Sequence, residues 1–174
     1  MAAEKHLKEN PSEGLPDLPG ITVHHGRLDG TGLRFGIVAA RFNPGLTGPL
    51  VASAVDTLIQ AGVAPSDIEV VWVPGSFEIP LALQRLADRS PLDALIACGV
   101  VIEGATRHAD LIMNSLTQSF TTLSLELDCP VIDAVVSART PDQAEARCLG
   151  GRESRGAYAA RAALEVSTLF SPIL

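Results

Sequence analysis

Four short apolar runs punctuate the chain, and apolar residues recur at helical spacing between them. Leu33–Ala40 (LRFGIVAA), Ile68–Val73 (IEVVWV), Ala94–Cys98 and Val131–Val136 are near-continuous and rich in β-branched residues. Runs that are continuous rather than alternating predict strands covered on both faces, as in a parallel sheet. Thr47–Ala61 carries Leu50, Val51, Ala54 and Leu58 along one stripe and stops at Gly62, which predicts a helix. Phe77–Ala87 predicts a second helix, with Ser76 as its N-cap and Pro80 tolerated in its first turn. Asp110–Leu127 predicts a third, Pro141 opens a short fourth (PDQAEARC), and from about Ser154 AYAARAALEVSTLF predicts the last.

Strand and helix therefore alternate. That order predicts an α/β fold, a three-layer α/β/α sandwich on a four-stranded parallel sheet in flavodoxin-like order, joined by right-handed crossovers. Residues 1–20 mix charge with Pro11, Pro16, Pro19, Gly14 and Gly20, a composition expected to form a flexible arm. Residues 21–174 then form one domain. Ile21 and Val23 alternate weakly, as a short edge strand would, and such a strand without a hairpin partner can add to a neighbouring subunit's sheet. His24 and His25, adjacent on that strand, point to opposite faces and are expected in solvent rather than on a metal.

Composition narrows the function classes. Apolar residues make up 47% of the 174 and aromatics only 4%, so the core is expected to be built from Ala, Val, Leu and Ile. A net charge of −7 argues against nonspecific nucleic-acid binding, which needs Lys and Arg to neutralise phosphates. Cys98, Cys129 and Cys148 are widely spaced with no CxxC or Cys/His cluster. Buried, reduced thiols of a cytoplasmic protein are expected, not a zinc site. The opening segment, with Glu4, Lys5, Lys8 and Glu9, does not read as a secretory signal, and no apolar run reaches membrane-spanning length.

In folds of this kind ligands sit outside the carboxyl ends of the strands, and three polar, glycine-containing clusters fall there. They are Arg41-Phe42-Asn43, then Pro74-Gly75-Ser76-Phe77-Glu78, then Gly99 to His108 (GVVIEGATRH). The last breaks a strand at Gly99 and again at Gly104 and runs into a helix start. Unpaired N–H groups there favour an anion, with a histidine beside it. Neither GxGxxG nor GxxxxGK[ST] occurs, which disfavours a dinucleotide or P-loop site.

WVPGSFE (72–78) and GVVIEGATRH (99–108), together with Arg41-Phe42-Asn43, Pro130-Val131-Ile132 and Arg147, resemble the lumazine synthase family from about Gly26 to Phe170. The resemblance implies a cofactor-free condensation of 5-amino-6-(D-ribitylamino)uracil with 3,4-dihydroxy-2-butanone 4-phosphate. The products are 6,7-dimethyl-8-ribityllumazine, phosphate and water. It implies a homopentamer with active sites between adjacent subunits, leaves open the icosahedral 60-mer shell that some members form, and suggests riboflavin synthase as a protein partner. By the same resemblance Phe42 lies against the pyrimidine, and Ser76, Phe77 and Glu78 hold the ribityl chain. Val100, Val101 and Ile102 meet the uracil edge with their backbones. Ala105 and Thr106 bind phosphate through N–H groups, Arg147 does so from the neighbouring subunit, and His108 carries protons.

Several positions depart from the family pattern. Glu103 stands where arginine is common, and an acid beside the phosphate-binding loop is expected to cost affinity unless it faces away or pairs with Arg107. Asp133 replaces an aromatic ring that encloses the pyrimidine from the neighbouring subunit, and an aspartate there accepts a hydrogen bond or repels the phosphate substrate. Ser154 and Arg155 replace an asparagine–lysine pair, and Arg155 keeps the charge for substrate binding. Ala109 and Leu111 replace aromatics. Two other readings stay open from the residues alone. One is an enzyme like the archaeal-type riboflavin synthase, which shares the fold. The other is a non-catalytic flavin-binding or shell-forming scaffold. His108, Thr106 and Arg147 weigh against the first, and the retained Arg147 weighs against the second.

Overall fold

Every residue of β1 (Phe35–Ala40) is buried, because a strand at the centre of a parallel sheet has helices on both faces. The computed structural model describes residues 14–104 and 108–169. Its order is β1, α1 (Pro44–Gln60), β2 (Ile68–Val73), α2 (Ile79–Ala87), β3 (Ala94–Ile102), α3 (His108–Glu126), β4 (Val131–Ala138), α4 (Pro141–Cys148) and α5 (Arg155–Leu169). The sheet is parallel throughout, in the order β2-β1-β3-β4. This is the α/β/α sandwich expected.

The pleat divides the core by parity. Phe35, Ile37 and Ala39 of β1 and Ile96, Cys98 and Val100 of β3 point to one face, where Leu50, Ala54 and Leu58 of α1, Ala144 of α4 and Ala159, Ala160 and Ala163 of α5 cover them. Val38, Ala40, Leu95 and Ala97 point to the other, under Leu83 and Leu86 of α2 and Leu116 and Phe120 of α3. Small residues let α5 lie close on α1, and a methyl on Gly156 would run into the Leu50 carbonyl. Among the described residues no helix is long and apolar enough to cross a membrane. The three cysteines are buried and free. Burial pushes the Cys98 thiol up to about 12 and those of Cys129 and Cys148 up to about 11.

Several boundaries differ from the sequence reading. Gly99 does not end β3, which continues to Ile102 because β4 keeps pairing with it, from Gly99↔Val135 to Ile102↔Ala138. For the same reason β4 runs on to Ala138. β1 begins two residues later than Leu33, whose N–H closes a turn onto the Gly30 carbonyl at 3.1 Å. α1 begins three residues before Thr47, since Pro44 is suited to the first helical position and Asn43 accepts the left-handed conformation before it (φ 54°). Ser76 does not cap α2. It opens a 3₁₀ turn, Ser76–Glu78, in which the Glu78 carboxylate accepts the Gly75 N–H at 2.8 Å. Ile21–His25 forms no strand within the chain and is exposed, as an extended segment without a ladder partner must be. Residues 1–13, most of the expected arm, lie outside the described residues.

Candidate active site

Three of the chain ends gather over the gap between β1 and β3, the point where strand order reverses and ligands bind in open α/β sheets. Past β1 the chain is tied sideways, with the Arg41 N–H donating to the Val73 carbonyl of β2 at 2.8 Å. Phe42 follows, 69% exposed, with its main-chain carbonyl held by the Thr47 hydroxyl at 2.9 Å. Its ring lies over Gly75, where a Cβ would touch Cδ2 at 3.5 Å. Asn43, next along, reaches across the gap and donates from Nδ2 to the Val100 carbonyl at 3.0 Å. The sequence reading gives Asn43 no role. Its legible signal is an asparagine before Pro-Gly, a residue that tolerates the left-handed backbone the turn needs.

The turn after β2 is keyed into β3. Ser76 is buried, and a Cβ on Gly99 would come within 2.7 Å of its hydroxyl. Only glycine at 99 admits that approach. Phe77 projects outward at 64% exposure, beside the exposed Glu78. Glu78 already spends one oxygen on its own turn and has the other for a ligand hydroxyl.

β1 pairs with β3 only as far as Ala39↔Cys98, so the next stretch of β3 has no strand on that side. Leu95 and Glu103 donate their N–H groups to Pro130 and Ala138 on the β4 side. The even residues Val100 and Ile102 therefore turn their backbone groups toward the gap, while those of Val101 face β4. Of the three expected to meet a ring edge, two offer backbone there, and the Val100 carbonyl is already taken by Asn43. His108 is the first residue of α3 and is exposed. α3 packs on the Ser76–Glu78 turn. Ala105, Thr106 and Arg107 lie outside the described residues.

Glu103 turns away from this gap. It pairs with Arg139 beyond the end of β4, with N···O 3.8 Å between two exposed groups. Among the described residues no cluster of His, Cys, Asp and Glu could hold a metal ion.

Asp133, Arg147 and Arg155 are not part of this gathering. Asp133 is paired with Ala97, five residues before the end of β4 at Ala138, roughly 16 Å along the strand from the carboxyl end. β4 is an edge strand, and Asp133 and Arg155 finish that edge. The Asp133 Oδ1 accepts the Val135 N–H at 2.8 Å, and Arg155 donates from Nη2 to the Asp133 carbonyl at 3.1 Å. The Arg155 guanidinium also stands 4.8 Å from the centre of the Tyr158 ring. Burial pushes the Asp133 carboxyl up, against the Val135 hydrogen bond and the Arg155 charge, which pull it down. Ser154 is fully buried. It joins Ser53 at 2.6 Å and caps α5 through the Ala157 N–H. Arg147 lies exposed in the last turn of α4.

The gap thus offers an aromatic face, a strand edge able to pair with an amide-like ring, a carboxylate and an imidazole at a helix start. A family model described as 6,7-dimethyl-8-ribityllumazine synthase matches residues 32–171.

Proposed function

Because the chain belongs to the 6,7-dimethyl-8-ribityllumazine synthase family, transferases of riboflavin biosynthesis, we propose that it condenses 5-amino-6-(D-ribitylamino)uracil with 3,4-dihydroxy-2-butanone 4-phosphate. Lumazine, phosphate and water leave. The observation that carries this reading is the exposed Phe42 ring over Gly75, next to Asn43, whose side chain reaches the open β3 edge at Val100. The uracil stacks on Phe42 and pairs with the backbone of Val100 to Ile102. The ribityl hydroxyls bond to the Ser76–Glu78 turn.

Phosphate binds at the start of α3, through Ala105 and Thr106, where helix N–H groups and dipole favour an anion. Arg147 of a neighbouring copy adds a bidentate contact, and Asp133 and Arg155 reach the site from the same neighbour. Imine formation, phosphate elimination and ring closure each move a proton, and His108 carries it. Much of the remaining acceleration comes from holding two substrates together. The working form is a cytoplasmic homopentamer of a domain spanning residues 21–174, with residues 1–20 as an arm and Ile21–His25 added to a neighbour's sheet.

The test is an absorbance assay with both substrates, run on the wild type and on His108→Ala. Lumazine formed by the wild type and slowed by the substitution supports the reading. No product from assembled protein at high substrate would refute it.

A further inference from the structure

Phe42 is an exposed ring on a stretch of chain that is tied down on both sides. The residue before it is held to β2, through the Arg41 N–H and the Val73 carbonyl. The residue after it is held to β3, through the Asn43 side chain and the Val100 carbonyl. A third tie comes from inside the molecule. The Thr47 hydroxyl donates to the Phe42 carbonyl at 2.9 Å, and Thr47 is fully buried. It stands with Leu50, Val51, Ala54 and Leu58 as the one polar member of the buried set of α1.

The bond differs from the one other helical threonines of this chain make. Thr57, Thr117 and Thr121 each donate to the carbonyl four residues back, within their own helices. At Thr47 that carbonyl belongs to Asn43 and already accepts the N–H groups of Leu46 and Thr47, each at 2.9 Å. The chain turns at Asn43 through a left-handed backbone (φ 54°). The hydroxyl reaches one residue further, out of the helix, to Phe42. It is the hydrogen-bond donor to that carbonyl among the described residues.

Resting on the functional reading above, we propose that Thr47 is a positioning residue for the reaction. Its buried hydroxyl fixes the Phe42 main chain, so that the ring stands over the Gly75 turn before the pyrimidine arrives. The exposed ring gains little from burial of its own, so its place depends on how its backbone is held. A platform ordered only on binding subtracts its lost freedom from the ligand's affinity, and one ordered beforehand does not. Thr47 is buried and touches no substrate. It acts through Phe42, and its effect therefore falls on the ring substrate rather than on the phosphate substrate.

Thr47→Val removes the donor at nearly constant shape, and Thr47→Ser keeps it. Binding of the ribitylaminouracil is measured by calorimetry on the assembled protein. Thr47→Val is expected to weaken it roughly fivefold, the worth of one hydrogen bond, and Thr47→Ser to stay near wild type. Thr47→Ala removes the donor without the added methyl and is expected to weaken binding as Thr47→Val does. KM for the phosphate substrate is expected to hold in all three. The deciding comparison is made on a Phe42→Ala background. There the loss of the hydroxyl is expected to change pyrimidine affinity no further, because the ring it acts through is gone. The same loss on that background, or wild-type affinity in both Thr47→Val and Thr47→Ala, would overturn the proposal while leaving the reaction intact. A wild type that binds the pyrimidine with this joint dependence on Thr47 and Phe42 but forms no lumazine would overturn the reaction and keep the proposal. A wild type that binds no pyrimidine would overturn both.

Discussion

The gap between β1 and β3 and the free edge of β4 carry the chain's two sets of candidate ligand-binding groups, and they are built differently. At the gap the backbone does most of the positioning. Gly99 admits Ser76, Gly75 lies under Phe42, and Asn43 ties the end of β1 to β3. At the β4 edge the side chains act on the backbone. Asp133, Arg155 and Ser124 occupy edge groups of the strand, the last by accepting the Val131 N–H at 3.1 Å. Protecting an edge strand with charged side chains is a known way to keep it from pairing indiscriminately. The difference teaches that each set is preformed in the single chain, yet the two cannot meet within it. A site using both needs a second copy.

Breaking the gap should cost activity before stability. His108→Ala is expected to slow turnover by about 10²–10⁴, the usual worth of a positioned acid–base. Retention of full kcat would remove His108 from the proton transfers. Gly99→Ala forces Ser76 off β3 and is expected to lower kcat/KM by roughly 10², as a misplaced substrate anchor does. A crystal structure of this variant with Ser76 unmoved and activity intact would contradict the keying.

Gly156→Ala sharpens the comparison from a third place, away from both regions. It pushes α5 off α1, and a loss of roughly 1–3 kcal/mol is expected in denaturant unfolding, with the kcat of the surviving folded protein near wild type. At the β4 edge the effect is one of pH. The folded-state value of Asp133 is raised, so its contribution to stability is present below the ordinary carboxylate range. That contribution is lost as pH rises through the raised value. Asp133→Asn is therefore expected to melt above wild type at neutral pH and to converge with it in acid. A stability difference independent of pH would contradict that assignment. The smallest expected effect belongs to Glu103→Gln, which breaks only an exposed pair with Arg139. Stability should change by no more than about 0.5 kcal/mol, and KM for the phosphate substrate should hold.

The four strands were legible because a buried parallel strand reads as an unbroken apolar run, and the helices because their stripes are regular. The end of β3 was not legible. Gly99 looks like a stop in one dimension, and only the register with β4 carries the strand on to Ile102. The gap's residues could be placed from the clusters at the strand ends. Asn43 and Arg139 could not be paired with Val100 and Glu103, because those contacts depend on which strands are neighbours. Ser76 was expected to cap α2, but the Glu78 carboxylate serves the turn instead, and Ser76 is taken up against Gly99. The state of Asp133 follows from lying on an edge strand under α3, which no local pattern encodes.

Complementation between subunits tests the composite site most directly. His108→Ala and Arg147→Ala proteins are each assayed alone, then co-assembled in equal amounts. Random mixing pairs an intact gap with an intact neighbouring surface at about a quarter of interfaces. Activity should then rise far above the average of the two variants. Activity equal to that average, in confirmed mixed assemblies, would mean that His108 and Arg147 do not act across a subunit boundary.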